Sequence, residues 1–144
     1  AAEVLPPTAE LEPVPAGAGE HVLFVDDEEP LTKVGQVALE MLGYRVTPQT
    51  SAADALALFR AQPGAFDLVV TDQNMPGMSG VALGQQMLAL RPEQRLILTT
   101  GYSASINAES VRTLGFRELL PKPYDLRALG ETVNRVLHET KAAP

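Results

Sequence analysis

Four short apolar runs in the chain end in side chains able to do chemistry. HVLFV runs into Asp26-Asp27-Glu28-Glu29, FDLVVT into Asp72, RLIL into Thr99-Thr100-Gly101, and FRELL through Pro121 into Lys122-Pro123. If these ends meet, they bring together carboxylates, hydroxyls and one ammonium. Two carboxylates about 4 Å apart repel by roughly 1 kcal/mol in bulk water and by about 4 kcal/mol at an effective dielectric of 20. Three convergent acids therefore raise one another's pKa or demand a cation. Lys122 supplies one charge, too little for the cluster. A hard divalent cation with oxygen ligands is the natural complement, and a few carboxylates with retained waters suit Mg²⁺, with Mn²⁺ as a substitute. Such a metal beside a lysine and a hydroxyl is the equipment of phosphoryl transfer. The acceptor would be a carboxylate, because the chain has no cysteine and these loops hold no histidine.

The elements that must position these residues are legible as an alternation. After HVLFV, Leu31, Val34, Ala38 and Met41 recur at helical spacing, which predicts an apolar helix face, with Pro30 in the first turn and Gly43 at the end. YRVT predicts a short strand stopped by Pro48. Ser51 and Asp54 predict a helix start ahead of Leu56 and Phe59. FDLVVTD reads as a strand buried on both faces. Ser79 opens a helix carrying Leu83, Met87 and Leu90, RLILTT is a further buried run, and residues 105–114 give a weak helical signal. FRELL is stopped by Pro121, and Asp125 caps a helix with Leu126, Leu129, Val133 and Val136 in register. Five strand–helix repeats predict an α/β fold, a parallel sheet covered by helices on both faces. In such a sheet ligands bind at the carboxyl ends of the strands, where all four polar groups fall.

Composition narrows the function classes. The chain has 144 residues, 45% of them apolar, and a net charge of −7. That is enough chain for one self-sufficient core and too little for two. The acidic balance argues against direct contact with nucleic acid, which needs a basic face, and against a polybasic membrane anchor. Absence of cysteine excludes disulfides, thiolate nucleophiles and cysteine zinc sites. No apolar stretch is long enough for a membrane span and no signal peptide opens the chain, so a cytoplasmic location is expected. Residues 1–20 hold four prolines and four glutamates and no Lys or Arg; they read as a flexible linker, with docking of Val4, Leu5 and Leu11 as a short arm the alternative. A folded domain is expected over 21–140 and a disordered tail over 141–144.

VDDEEP, VVTDQNMPGMSG, LTTGYS and LPKPY, in this order and spacing, resemble the receiver domains of two-component response regulators, over residues 21–138. The resemblance implies a flavodoxin-like (βα)5 three-layer sandwich with a five-stranded sheet in the order 2-1-3-4-5. It implies Asp72 as phosphoacceptor, Asp27 as a direct Mg²⁺ ligand, Asp26 acting mainly through water, and the backbone carbonyl of Asn74 as another ligand. It implies that Lys122 pairs with the phosphoryl group, that Thr100 moves onto it as a switch, and that Lys122-Pro123 is a cis peptide. One position departs from the pattern: Leu119 stands where many receivers carry Phe or Tyr, so the aromatic half of the switch is in question, with Tyr102 a substitute. Asn74 and Tyr102 are expected to tune the lifetime of the phosphorylated state. The implied phosphodonor is a histidine kinase, on the same chain or another, or a histidine phosphotransfer protein. TGYS and PKPY resemble receivers at the C-terminus of hybrid sensor histidine kinases, whose parent would be membrane-bound. An isolated domain of this kind is not an enzyme on other molecules, since it catalyses only its own phosphorylation and dephosphorylation.

Three other readings are open to the same residues. A phosphatase of the haloacid dehalogenase type also uses an aspartyl phosphate, but needs D-x-D-x-T at the first strand, where this chain has Asp26-Asp27-Glu28. A flavin-binding module would want a Ser/Thr/Gly loop after the first strand, which here is acidic. A pseudo-receiver that binds partners without phosphorylation is kept in view by Leu119. Ser79 between Gly77 and Gly80 fails the G-x-S-x-G spacing and reads as a cap. His21 and His138 are isolated, and no chemical role is expected of them.

Overall fold

The computed structural model describes residues 14–101 and 106–139. Within them the alternation is realised as β1 (His21–Val25), α1 (Glu29–Met41), β2 (Arg45–Gln49), α2 (Ala52–Ala61), β3 (Leu68–Asp72), α3 (Gly80–Leu90), β4 (Leu96–Thr100), α4 (Ala108–Thr113), β5 (Glu118–Pro121) and α5 (Leu126–Leu137). All strand pairs are parallel and the order is β2-β1-β3-β4-β5, the flavodoxin-like order.

Successive residues of each strand enter opposite layers, as the twofold period of a strand requires. Leu23, Val69 and Leu98 face Phe59 of α2, Leu83 and Met87 of α3 and Val111 of α4. Val22, Phe24, Val70 and Ile97 face Leu39 of α1 and Leu129, Val133 and Val136 of α5. Helix starts follow their caps. Ser51 accepts from the Asp54 N–H, Ser79 from Ala82 and Asp125 from Ala128, while Pro30 sits in the first turn of α1.

Two local readings are corrected. The α1 face expected to be buried is the outer one: Val34 is 48%, and Met41 82%, exposed. The buried line is Thr32, Gly35 and Leu39. Gly35 lets the helix lie directly on the Phe24 ring, which a Cβ there would meet at 2.6 Å, and the Thr32 hydroxyl satisfies itself on two backbone carbonyls. Small residues mark close approach to the sheet, so apolar spacing pointed to the wrong face. Pro48 does not stop β2 either; it pairs in register with Phe24. A proline is tolerated there because β2 is an edge strand, whose outward side needs no N–H.

The expected linker is described from residue 14. Gly17 N–H donates to Leu42 O at 2.6 Å and Gly19 N–H to Gly43 O at 2.9 Å, which ties residues 17–19 to the turn after α1. Residues 1–13 and the tail lie outside the described residues.

Candidate functional site

The register of the parallel sheet aligns the ends of its central strands. Asp72, the last residue of β3, pairs with Thr99 of β4, and Thr100 pairs with Pro121 of β5. Asp26 follows β1 directly, and Lys122 follows β5. One edge thus collects Asp26, Asp27, Asp72, Thr100 and Lys122. A carboxylate oxygen from each of Asp26, Asp27 and Asp72 lies within 4.8 Å of the other two. The Lys122 ammonium sits 2.9 Å from Asp26 Oδ2, 3.4 Å from Asp72 Oδ1 and 3.9 Å from Glu28 Oε1.

Burial separates these groups. Asp26, Asp72 and Thr100 are 1%, 4% and 5% exposed, whereas Asp27 is exposed on the rim. Among the described residues, Asp26 Oδ2 and Asp72 Oδ1 have the Lys122 ammonium as their partner, and the buried Thr100 hydroxyl has no hydrogen-bond partner. Burial, then the neighbouring Asp26 charge, raises the Asp72 pKa above the usual carboxylate value, against the opposing pull of Lys122. Burial alone would lower Lys122, but Asp26 and Asp72 outweigh it and hold the ammonium above its ordinary value. Tyr124, behind the lysine, is pushed up to about 12 by burial and by the Asp26 charge. Two buried acids, a third at the rim and one lysine leave negative charge uncompensated. The donor set, all carboxylate oxygen with an open side, fits a hard divalent cation.

The scaffold under these groups includes residues whose role was not apparent from the sequence. Asp26 is fixed from three sides: its N–H donates to Gln49 O, its Oδ1 accepts from Glu28 N–H at 2.9 Å, and its carbonyl accepts from the Thr32 hydroxyl at 2.7 Å. Gln73 donates its N–H to Thr99 O, and its side-chain oxygen accepts from Val81 N–H, so the loop after β3 is held to β4 and to α3. Gly80 brings the start of α3 against the Asp72 carbonyl, where a Cβ would collide with it. The Lys122 N–H donates to Thr100 O at 2.7 Å, which joins the lysine to the strand end that carries the hydroxyl. Gly80 had a faint signal, a small residue at the start of an otherwise apolar helix.

The remaining site candidates are placed as follows. Asn74 is exposed in the loop after β3. Leu119 is half-buried against the core layer of α2, α3 and α4, as are Met75 and Met78. The Lys122–Pro123 peptide is cis. Tyr102 lies outside the described residues.

A parallel 2-1-3-4-5 sheet with an acidic triad and a lysine at the carboxyl edge defines a class: the CheY-like signalling domains. Residues 22–134 match the family model of the response regulator receiver domain. The chain is 32% identical over 118 residues to the sensor kinase CckA of Brucella abortus, covering 82% of this chain and 12% of that protein. It is 37% identical over 125 residues to the virulence sensor protein BvgS of Bordetella pertussis, covering 81% of this chain and 10% of that one. A solved receiver domain from Clostridium thermocellum superposes with a TM-score of 0.77 at 27% identity, over 82% of this chain and 94% of that one. The chain belongs to the response regulator receiver family of two-component signal transduction. It spans only about an eighth of the Brucella kinase and a tenth of the Bordetella sensor. Receiver domains generally bind Mg²⁺, and the acidic cluster here could hold such an ion. No helix among the described residues is long and apolar enough to cross a membrane.

Proposed function

We propose that this domain accepts a phosphoryl group on Asp72 from a phosphohistidine, borne by a histidine kinase or a histidine phosphotransfer protein. The observation that carries the reading is the state of Asp72 itself: a buried carboxylate beside two other acids, with Oδ1 turned to the Lys122 ammonium, which it shares with Asp26. In the transfer an Asp72 carboxylate oxygen attacks phosphorus. The P–O bond forms as the P–N bond breaks, and the leaving imidazole keeps the electron pair and is neutralised by a proton. Asp26, Asp27, Asp72 and the Asn74 carbonyl would hold Mg²⁺, which neutralises charge on the phosphoryl oxygens. Lys122 shares that task from the other side, and its contact with both Asp26 and Asp72 keeps the ammonium where the new charge arises.

Phosphorylation adds about −1.5 to −2 charges. The buried Thr100 hydroxyl, without a hydrogen-bond partner among the described residues, has a donor to give, and it turns onto the phosphoryl group as the switch. Leu119 follows by a change of rotamer rather than by ring insertion, which shifts the packing between α4, β5 and α5. Asn74 and Tyr102, each two residues past Asp72 and Thr100, govern water access and so the lifetime of the acyl phosphate. The domain acts on no substrate besides itself. Its similarity to the sensor kinases supports a parent that carries its own kinase, with the donor delivered at high effective concentration through the preceding segment.

The test is Mg²⁺-dependent labelling with a small phosphodonor. Wild type is expected to take up label at Asp72 and Asp72→Asn to remain at background. Label that survives the substitution overturns the assignment.

A further inference from the structure

The outward face of α1, misread from the sequence as core, is an apolar stripe open to water. Val34, Val37, Ala38 and Met41 form it, and together with Lys33 and with Leu126 at the start of α5 they wall a groove of about 290 Å³. Val37 and Leu126 are 54% and 48% exposed. Contiguous large apolar side chains in water mark a surface that another molecule covers.

The charges beside the stripe point to what that molecule is. At about 100° per residue, Lys33 and Glu40 fall on the same border of the stripe, about 10 Å apart along the helix axis. This border faces β2, where Lys33 and Gln36 stand beside Pro48 and Gln49. Ala38 and Leu126 form the opposite border, toward α5. Lys33 and Glu40 are both exposed. Lys33 has no ion-pair partner among the described residues. Glu40 accepts from Gln36 Nε2 through Oε2 at 3.1 Å, which leaves Oε1 for another donor. Val37 lies near the midpoint between the two charges. A border that is positive at one end and negative at the other is complementary to itself turned end over end.

We propose that a second copy of this chain covers the stripe, α1 against α1 in antiparallel arrangement, about a twofold axis passing beside Val37. Under that operation the β2-side borders of the two copies meet. Lys33 of each copy lies opposite Glu40 of the other, the two Val37 side chains meet at the centre, and each Val34 packs on the other copy's Met41. Such a reciprocal pattern defines an isologous interface. A parallel pairing would set the charged border of one copy against the Ala38–Leu126 border of the other and leave both charges unpaired. The apolar stripe supplies the attraction, and the charges fix the register. Five apolar residues a side are few beside the roughly 20–30 residues of a standard interface, so the pair is weak and reversible. Because α1 begins two residues after Asp27, antiparallel pairing points the two acidic edges in opposite directions and leaves both open.

The charge arrangement supplies the test. In sedimentation equilibrium at low ionic strength, the full wild-type chain is expected to pass reversibly from monomer to dimer as its concentration rises. Lys33→Glu makes the border wholly acidic and Glu40→Lys makes it wholly basic. Each alone is expected to weaken self-association roughly tenfold, the scale of two exposed ion pairs turned repulsive. Mixed in equal amounts, the two variants are expected to associate with each other as wild type does, since an acidic border then meets a basic one. Met41→Ser, at a site 82% exposed, is expected to lose most of the association while the circular dichroism of all three variants stays that of wild type. The proposal is overturned if the mixture associates no better than its components, or if Met41→Ser dimerises like wild type. A wild type that stays monomeric at every concentration assigns the stripe to a different protein and equally overturns it.

Discussion

The two ends of the sheet both carry charge between apolar strands, but they use it differently. At the amino end, Arg95 donates to the carbonyls of Leu137 and Glu139 at 3.1 and 2.7 Å, Arg117 pairs with the Glu139 carboxylate at 2.8 Å, and Asp67 accepts from the His21 N–H. Those arginines close the end of α5, whose last carbonyls have no partner within the helix. At the carboxyl end, three acids share one lysine, and the buried Thr100 hydroxyl has no hydrogen-bond partner among the described residues. Native structures leave few buried polar atoms unsatisfied. Three acids with one cation between them at one end, opposite an end where the arginines find carbonyl and carboxylate partners, separate a place built for an incoming group from a place built for stability.

The sharpest way to break this contrast is to remove one cation from each end. Lys122→Ala is expected to slow phosphorylation by a small phosphodonor roughly 10²- to 10³-fold, the cost of losing one donor to a developing anion. Arg95→Ala is expected to leave that rate unchanged and to lower the unfolding free energy by about 2 kcal/mol, the scale of hydrogen bonds from a charged group. Labelling time courses and urea titrations of both variants measure the two effects. If Arg95→Ala slows labelling as much as Lys122→Ala does, the division between the ends is wrong.

Neutralising an acid sharpens the same contrast from the other side. The folded-state pKa of Asp72 is raised, so the folded protein binds more protons than the unfolded chain as pH passes from the unfolded value of 3.8 to the folded one. Stability falls through that window and stays reduced at neutral pH. Asp72→Asn removes the repulsion and is expected to raise the unfolding free energy at pH 7 by about 1 kcal/mol, the part of a roughly 4 kcal/mol carboxylate repulsion that Lys122 does not offset. Mg²⁺ is expected to raise the melting temperature of wild type by mass action and that of the variant less. A variant less stable than wild type without metal would mean that the acids are already compensated.

The carboxyl end was legible in the sequence because its logic is local: an apolar strand must stop, and the residue after it lies at the edge. Asp26, Asp72, Thr100 and Lys122 all follow that rule. The amino end was not legible, because Arg95 and Arg117 meet Glu139 only through the packing of α5, more than twenty residues away. The α1 face failed for a third reason. Hydrophobic spacing identifies a buried face when large residues fill the space to the sheet; here Gly35 removes that space, and the apolar stripe was left for another surface. Thr32 and Gln73 escaped notice because their work is done through backbone bonds, which no side-chain pattern announces.

The smallest effect lies at the amino end, in His21. Its ring accepts or donates to Thr47 Oγ1 at 2.7 Å and lies 4.8 Å from the Phe66 ring, centroid to centroid. Burial, then the Arg45 charge, lowers its pKa below 6.5, against the Ala65 carbonyl and the Asp67 charge. Below pH 6.5 the unfolded chain therefore binds the proton first, and stability falls as pH drops from 6.5 toward the folded value. This slope is opposite in sign to that of Asp72. The ring is only partly buried, so screening holds the effect to a few tenths of a kcal/mol, about the scale of exposed ion pairs. Urea midpoints at pH 7.5 and 5.5 are expected to differ more in wild type than in His21→Asn, which keeps a polar partner for Thr47 but cannot titrate. Equal differences in the two proteins would show that the fall in stability on mild acidification comes from some other group, and that His21 is held by its contacts with Thr47 and Phe66 whatever its charge.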